Sequence, residues 1–164
     1  MYEILIAEDE TIIRKGLIKI ITEMDICFGK IYEASNGLEA ADIIKRYKPS
    51  IVITDIRMPI KDGLDFISEV RNNHHDIRFI IISGYSEFSY AQKAISYNVT
   101  EYLLKPIKKD KLYNALIKAI EQLRTTNINK YKNNTYSHSI NCAISYIVEN
   151  FNQNISLTEV ANYL

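Results

Sequence analysis

One feature constrains this chain more than any other. In the first 124 residues, short apolar runs give way five times to longer amphipathic stretches. The runs Tyr2 to Ala7, Lys30 to Ala34, Ile51 to Thr54, Arg78 to Ser83 and Glu101 to Leu104 read as strands, and Ile51-Val-Ile53 and Ile80-Ile-Ile82 are unbroken β-branched blocks. A strand apolar on both faces suits a parallel sheet covered by helices on either side, whereas a sheet with one wet face would alternate. Between the runs, apolar residues recur at helical spacing: Ile13, Leu17, Ile20 and Met24; Leu64, Ile67 and Val70; Leu112, Ala115, Leu116, Ala119, Ile120 and Leu123. Gly37, Pro49, Gly63 and Pro106 fall at the junctions. Right-handed crossovers then give an α/β fold, a doubly wound five-stranded parallel sheet with helices on both faces.

Ligands of such sheets bind outside the carboxyl ends of the strands. The first strand ends in Glu8-Asp9, the third in Asp55, the fourth in Ser83 and the fifth in Lys105-Pro106. Three carboxylates brought within ~4 Å repel by roughly 4 kcal/mol per pair at an effective dielectric of about 20, so the cluster calls for a cation. An all-oxygen set of hard ligands favours magnesium over zinc. With the Lys105 ammonium and the Ser83 hydroxyl, the group has the equipment to stabilise a phosphoryl group on an oxygen nucleophile. Asp55 stands alone on the central strand, which makes it the candidate phosphoacceptor, while the acidic pair reads as the metal holder.

The acidic pair Glu8-Asp9, the segment Asp55-Ile-Arg-Met-Pro-Ile-Lys-Asp-Gly63, the Ser83-Gly84 pair, Tyr102 and Lys105-Pro106 stand in the order and spacing of bacterial two-component response regulator receiver domains, which residues 1 to 124 closely resemble. The resemblance implies a flavodoxin-like sheet of strand order 2-1-3-4-5 and a chain that is not an enzyme beyond assisting its own phosphotransfer and dephosphorylation. It implies that Asp55 takes a phosphoryl group from a cognate sensor histidine kinase. Mg2+ would be held by Asp9, Asp55 and the backbone carbonyl of Arg57, with Glu8 assisting through water. Ser83 and Lys105 would grip the phosphoryl oxygens, Tyr102 would turn inward as a switch, and Lys105-Pro106 would be cis. The stretch from Ser83 to Ala94 looks most like receivers joined to AraC-type DNA-binding domains.

All but four of the 40 charged side chains lie in residues 1–124. A linker is expected over 125–139, where the sequence is polar, Asn-rich and without apolar periodicity. In residues 140–164, Ile140, Ala143, Ile144, Ile147, Val148 and Phe151 form a helical stripe, and Ser156-Leu-Thr-Glu159 is a capping box. This segment is similar to the start of an AraC-type helix-turn-helix domain and stops in mid-turn. The chain is therefore expected to be a truncated form whose DNA-binding function belongs to the full-length protein. The stripe is expected to pack on its equivalent in a homodimer or on its own receiver.

A net charge of zero gives no whole-chain attraction to nucleic acid or to an anionic membrane. The start of the chain lacks a basic n-region and a long apolar run, so a cytoplasmic protein is expected. Cys27 and Cys142 read as small buried residues, His74-His75 as a turn, and Lys108, Lys109 and Lys111 as a solvated helix face. A dehalogenase-type phosphatase would need an acid where Arg57 stands, and a nucleotide binder a phosphate loop where Glu8-Asp9-Glu10 would repel one. The alternative left open is a receiver-like interaction module that works without phosphorylation.

Overall fold

A computed structural model of the chain describes residues 2–26, 28–72, 76–84, 88–132, 143, 146–147, 150, 156 and 158, with backbone alone at 88 and 127–132. Strands and helices alternate: β1 (Tyr2–Ala7), α1 (Thr11–Thr22), β2 (Phe28–Ala34), α2 (Gly37–Tyr47), β3 (Ile51–Asp55), α3 (Gly63–Arg71), β4 (Arg78–Ser83), α4 (Phe88–Ser96), β5 (Glu101–Leu104) and α5 (Lys109–Lys132). The five strands form one sheet in the order β2-β1-β3-β4-β5, and every neighbouring pair is parallel. This is the doubly wound fold that the alternation implied, with the reversal of strand order falling between β1 and β3.

The β-branched runs supply the core. Every residue of β3 is buried, as are all but Arg78 in β4. Phe66 of α3 meets Phe79 of β4 edge to face at 5.8 Å. In α1 the buried stripe is Leu17 and Ile21, with Met24 buried just past the helix end, so Ile21 takes the place expected of Ile20, which is only half-buried. Helix starts are capped where the sequence supplies short polar side chains. The Asn36 side chain accepts from Leu38 and Glu39 N–H, and that of Asp62 accepts from Asp65 N–H.

Three boundaries differ from the sequence reading, the smallest being that of β3, which runs one residue past Thr54 to Asp55. β2 begins at Phe28, two residues before the expected start, because an edge strand that is largely half-exposed carries no continuous apolar run to mark it. The helix α5 continues to Lys132, eight residues into the stretch read as linker. Adding a residue to an existing helix costs far less than nucleating one, so a polar Asn-rich continuation can stay helical.

The chain divides into two compact units, 1–121 and 122–164. Of the tail stripe, Ala143 and Ile147 are described and helical, as are Tyr146 and Asn150 beside them, and Asn150 Nδ2 donates to the Tyr146 carbonyl at 2.9 Å. The rest of the stripe, the capping box apart from Ser156 and Thr158, both cysteines and His74-His75 lie outside the described residues. Among the described residues, no helix is long and apolar enough to cross a membrane.

Candidate functional site

The register of the sheet brings four strand ends together. Ala7 pairs with Ala34 on one side and Thr54 on the other, Asp55 pairs with Ile82, and Ser83 with Leu104. Glu8, Asp55, Ser83 and Lys105 are therefore the last residue, or the first beyond it, of β1, β3, β4 and β5 at one edge of the sheet. The Lys105 N–H donates to the Ser83 carbonyl at 2.8 Å, continuing the β5 ladder past its last strand residue. The Lys105–Pro106 peptide is cis.

At this edge the charges are buried rather than solvated. Glu8 is fully buried, Asp55 nearly so, and Asp9 is exposed at the rim. One carboxylate oxygen from each lies within 4.8 Å of the other two. Lys105 Nζ reaches both buried acids, 2.6 Å from Asp55 Oδ2 and 2.8 Å from Glu8 Oε2. The contact with Glu8 lacks hydrogen-bond directionality, so this buried oxygen is paired by charge but has no donor aimed at it. Burial pushes the Glu8 carboxyl above its ordinary value, and the attraction of the Lys105 ammonium does not bring it back while Asp55 repels it. Burial alone would lower Lys105, but the pairing with Asp55 and Glu8 outweighs it and holds the ammonium above its usual value. Three acids against one ammonium leave the cluster short of positive charge.

The loop after β3 is shaped to hold Asp55. The Ile56 N–H donates to Asp55 Oδ1 at 2.5 Å, Thr54 Oγ1 donates to the Asp55 carbonyl at 2.9 Å, and Gly63 N–H donates to the Ile56 carbonyl at 2.7 Å. A Cβ on Gly63 would collide with the Asp55 carbonyl oxygen, so only glycine lets the loop close this tightly on the strand. Ile60, at the turn, has φ of 67° and is 80% exposed, an unusual conformation for a β-branched residue. On the other flank, Arg14 of α1 donates to the Glu8 carbonyl at 2.5 Å and pairs with Glu33 of β2 at 3.1 Å.

Of the residues singled out in the sequence, Glu8, Asp9, Asp55 and Lys105 come together directly. Ser83 is fully buried at the end of the neighbouring strand, and Tyr102 lies on β5, half-buried and packed against the core. The Arg57 side chain leaves the cluster, its Nε and Nη2 donating to the Tyr90 hydroxyl of α4 at 3.4 and 3.2 Å. Sequence reasoning missed Thr54, Arg14 and Tyr90. Thr54 alone had a signal, as a hydroxyl at the end of an otherwise aliphatic strand.

These strand ends belong to a receiver. The family model for the response regulator receiver domain matches residues 4–117. The chain is 36% identical over 151 residues to the uncharacterized transcriptional regulatory protein YesN of Bacillus subtilis, covering 92% of this chain and 41% of that one. It is 44% identical over 107 residues to the transcriptional regulatory protein HptR of Staphylococcus aureus, covering 65% and 42%. Among solved structures, the receiver domain of AraT, a response regulator from Geobacillus stearothermophilus, superimposes with a TM-score of 0.68 at 37% identity, covering 77% of this chain and 98% of that one. The chain belongs to the response regulator receiver domain family of two-component systems. It spans about two fifths of the length of these curated relatives, 41% and 42%.

Proposed function

We propose that Asp55 is the phosphoacceptor of a two-component relay and that its phosphorylation controls a transcription regulator of which residues 1–124 are the receiver, 125–139 the linker and 140–164 the start of an AraC-type DNA-binding domain. The observation that carries this reading is the surroundings of Asp55: a buried carboxylate on the central strand, hydrogen-bonded through both oxygens, with two more carboxylates and an ammonium beside it.

The residues fit a hard divalent cation. Their donors are all oxygen, one of them is a buried Glu8 oxygen with no hydrogen-bond donor, and the exposed rim position of Asp9 leaves a side open to water. Asp9, Asp55 and the Arg57 carbonyl would hold Mg2+, with Glu8 assisting. When bound, the ion offsets the negative charge of the attacking carboxylate and the incoming phosphoryl oxygens.

The chain's own part follows from its geometry. A carboxylate oxygen of Asp55 attacks the phosphorus of a phosphohistidine on the sensor kinase. A P–O bond forms, the P–N bond breaks, and the departing imidazole nitrogen keeps the electron pair and takes up a proton. Lys105 and Ser83 receive the phosphoryl oxygens. The Ile56 N–H keeps the other Asp55 oxygen in place, so the carboxylate presents one face. Tyr102 reports the change by moving inward. Such a relay places the protein in the cytoplasm with its kinase partner and its DNA target.

Incubation with Mg2+ and acetyl phosphate, read by intact mass, should add one phosphoryl group, and Asp55→Asn should abolish the addition. Undiminished labelling of the Asn variant would refute the assignment. A receiver-like module independent of phosphorylation would give no labelling in either protein.

A further inference from the structure

Arg14 of α1 takes no part in that chemistry, yet it is built into the edge that carries it. Its side chain is only 13% exposed, and different nitrogens of its guanidinium reach two neighbouring elements. Nη1 donates to the Glu8 carbonyl at 2.5 Å, and Nε donates to Glu33 Oε2 of β2 at 3.1 Å. The Glu8 N–H meanwhile donates to the carbonyl of Ala34, the residue after Glu33, at 3.0 Å. Both backbone groups of Glu8 are thus tied to β2, one directly and one through Arg14. Glu33 is a fixed anchor. Lys15 Nζ holds its other oxygen at 2.8 Å, and the hydrogen bonds from Lys15 and Arg14 keep its carboxyl below the ordinary value. The loop between β1 and α1 is short, Glu8-Asp9-Glu10, and the Glu10 side chain makes no capping hydrogen bond to the helix start.

We infer that Arg14 is a positioning residue for the cation site, setting the plane of the Glu8–Asp9 peptide and so aiming both carboxylates at one point. The inference rests on the reading of Glu8, Asp9 and Asp55 as holders of a divalent cation. That peptide joins the two acids, so rotating it would swing the exposed Asp9 away from the buried Glu8 and Asp55. A planar guanidinium with one nitrogen on a carbonyl and another on a carboxylate resists the rotation, where a flexible ammonium with a single nitrogen would not. Charge alone predicts the opposite effect, because a guanidinium bonded to a residue of the site repels an incoming cation. Arg14 never touches the ion; it acts through the Glu8 carbonyl.

Mg2+ titrated into 15N-labelled protein and read by amide shifts separates the two effects. Arg14→Met keeps the aliphatic stem and should weaken Mg2+ binding about tenfold, the lower end of what losing an outer contact behind a metal ligand costs. Removal of its charge alone would tighten binding. Arg14→Lys keeps the charge without the planar fork and should weaken binding about threefold, which decides the matter even if the Met variant does not fold. Glu33→Gln loosens the anchor and should also weaken binding, but added to Arg14→Met it should cost nothing more, since it acts through Arg14. An Arg14→Met or Arg14→Lys affinity equal to or above that of a responsive wild type, or a Glu33→Gln loss that persists in full beside Arg14→Met, overturns the inference alone. A wild type whose amide shifts do not respond to Mg2+ overturns the cation-site reading and this inference with it.

Discussion

Lys105 and Arg71 are both cations withdrawn from water, at opposite ends of the same sheet, and they are satisfied in opposite ways. At the carboxyl ends of the strands, Lys105 lies against two buried carboxylates, Asp55 and Glu8, with a third acid at the rim. At the amino ends, Arg71 donates to the carbonyls of Tyr97, Ile77 and Asn98 and lies 4.7 Å over the ring of Phe79. Burial pulls the Arg71 guanidinium down to about 10, with the nearby charge of Arg78 adding to it, while the acids around Lys105 more than offset its burial. The described partners of Arg71 are fixed neutral acceptors that match its donors. The Lys105 end is incomplete, with more anions than one ammonium neutralises. A buried excess charge costs stability unless something binds it, so the incomplete end is where a cation and a phosphoryl group have work to do.

If that contrast is right, the two ends should respond differently to loss of the cation. Arg71→Met keeps the aliphatic packing on Phe79 but leaves three carbonyls without this donor, which should cost about 3 kcal/mol of unfolding free energy at roughly 1 kcal/mol each. Urea unfolding would measure it, and Mg2+ should not restore it. Lys105→Met leaves Glu8 and Asp55 facing each other. Because the Lys side chain is partly exposed, the cost at neutral pH should be smaller, about 2 kcal/mol, below the range for breaking a fully buried pair. Here millimolar Mg2+ should recover much of the loss, by raising the melting temperature more in this variant than in the wild type. An equal response of both variants to Mg2+ would erase the distinction between the two ends.

The same contrast explains what the sequence disclosed. The ends of β1, β4 and β5 were readable to the residue, because a short apolar run flanked by polar residues has only one buried solution. Glu8, Asp9, Asp55 and Lys105 were readable because charges ending apolar strands have little other reason to be there. Arg71 was not. At the end of an amphipathic helix it looks like a cation placed against the helix dipole. Its partners are backbone carbonyls, which every residue carries, so no side chain in the sequence marks them. Tyr90 was hidden for a related reason, since its contact with Arg57 depends on how α4 docks and not on local periodicity. The helical continuation of α5 over 125–132 was hidden because propensity is a weak prior once a helix has started.

The smallest effect is the most direct probe of the excess charge. Burial raises the Glu8 carboxyl, Asp55 raises it further, and neither Lys105 nor the Glu10 N–H restores it to its ordinary value of 4.5. The folded protein therefore holds the Glu8 proton more tightly than the unfolded chain does. For an acid shifted this way, the stabilising contribution is complete below the unfolded pKa and is lost as the pH rises through the folded one. Above the folded pKa the carboxylate is ionised in both states and the folded state bears the penalty. Glu8→Gln keeps the shape without the charge, and Lys105 keeps Asp55 as its partner. In metal-free buffer this variant should be more stable than the wild type near pH 7. The advantage should shrink as the pH falls toward 4.5 and vanish below it. Arg71→Met, by contrast, should keep a constant offset from the wild type between about pH 5 and 8, since a guanidinium at about 10 does not titrate there. Urea midpoints at a series of pH values would check both. A Glu8→Gln difference that stays flat across that range would mean that the carboxylate at β1 is already neutralised, and the carboxyl end of the sheet would then carry no unmet charge for a metal to answer.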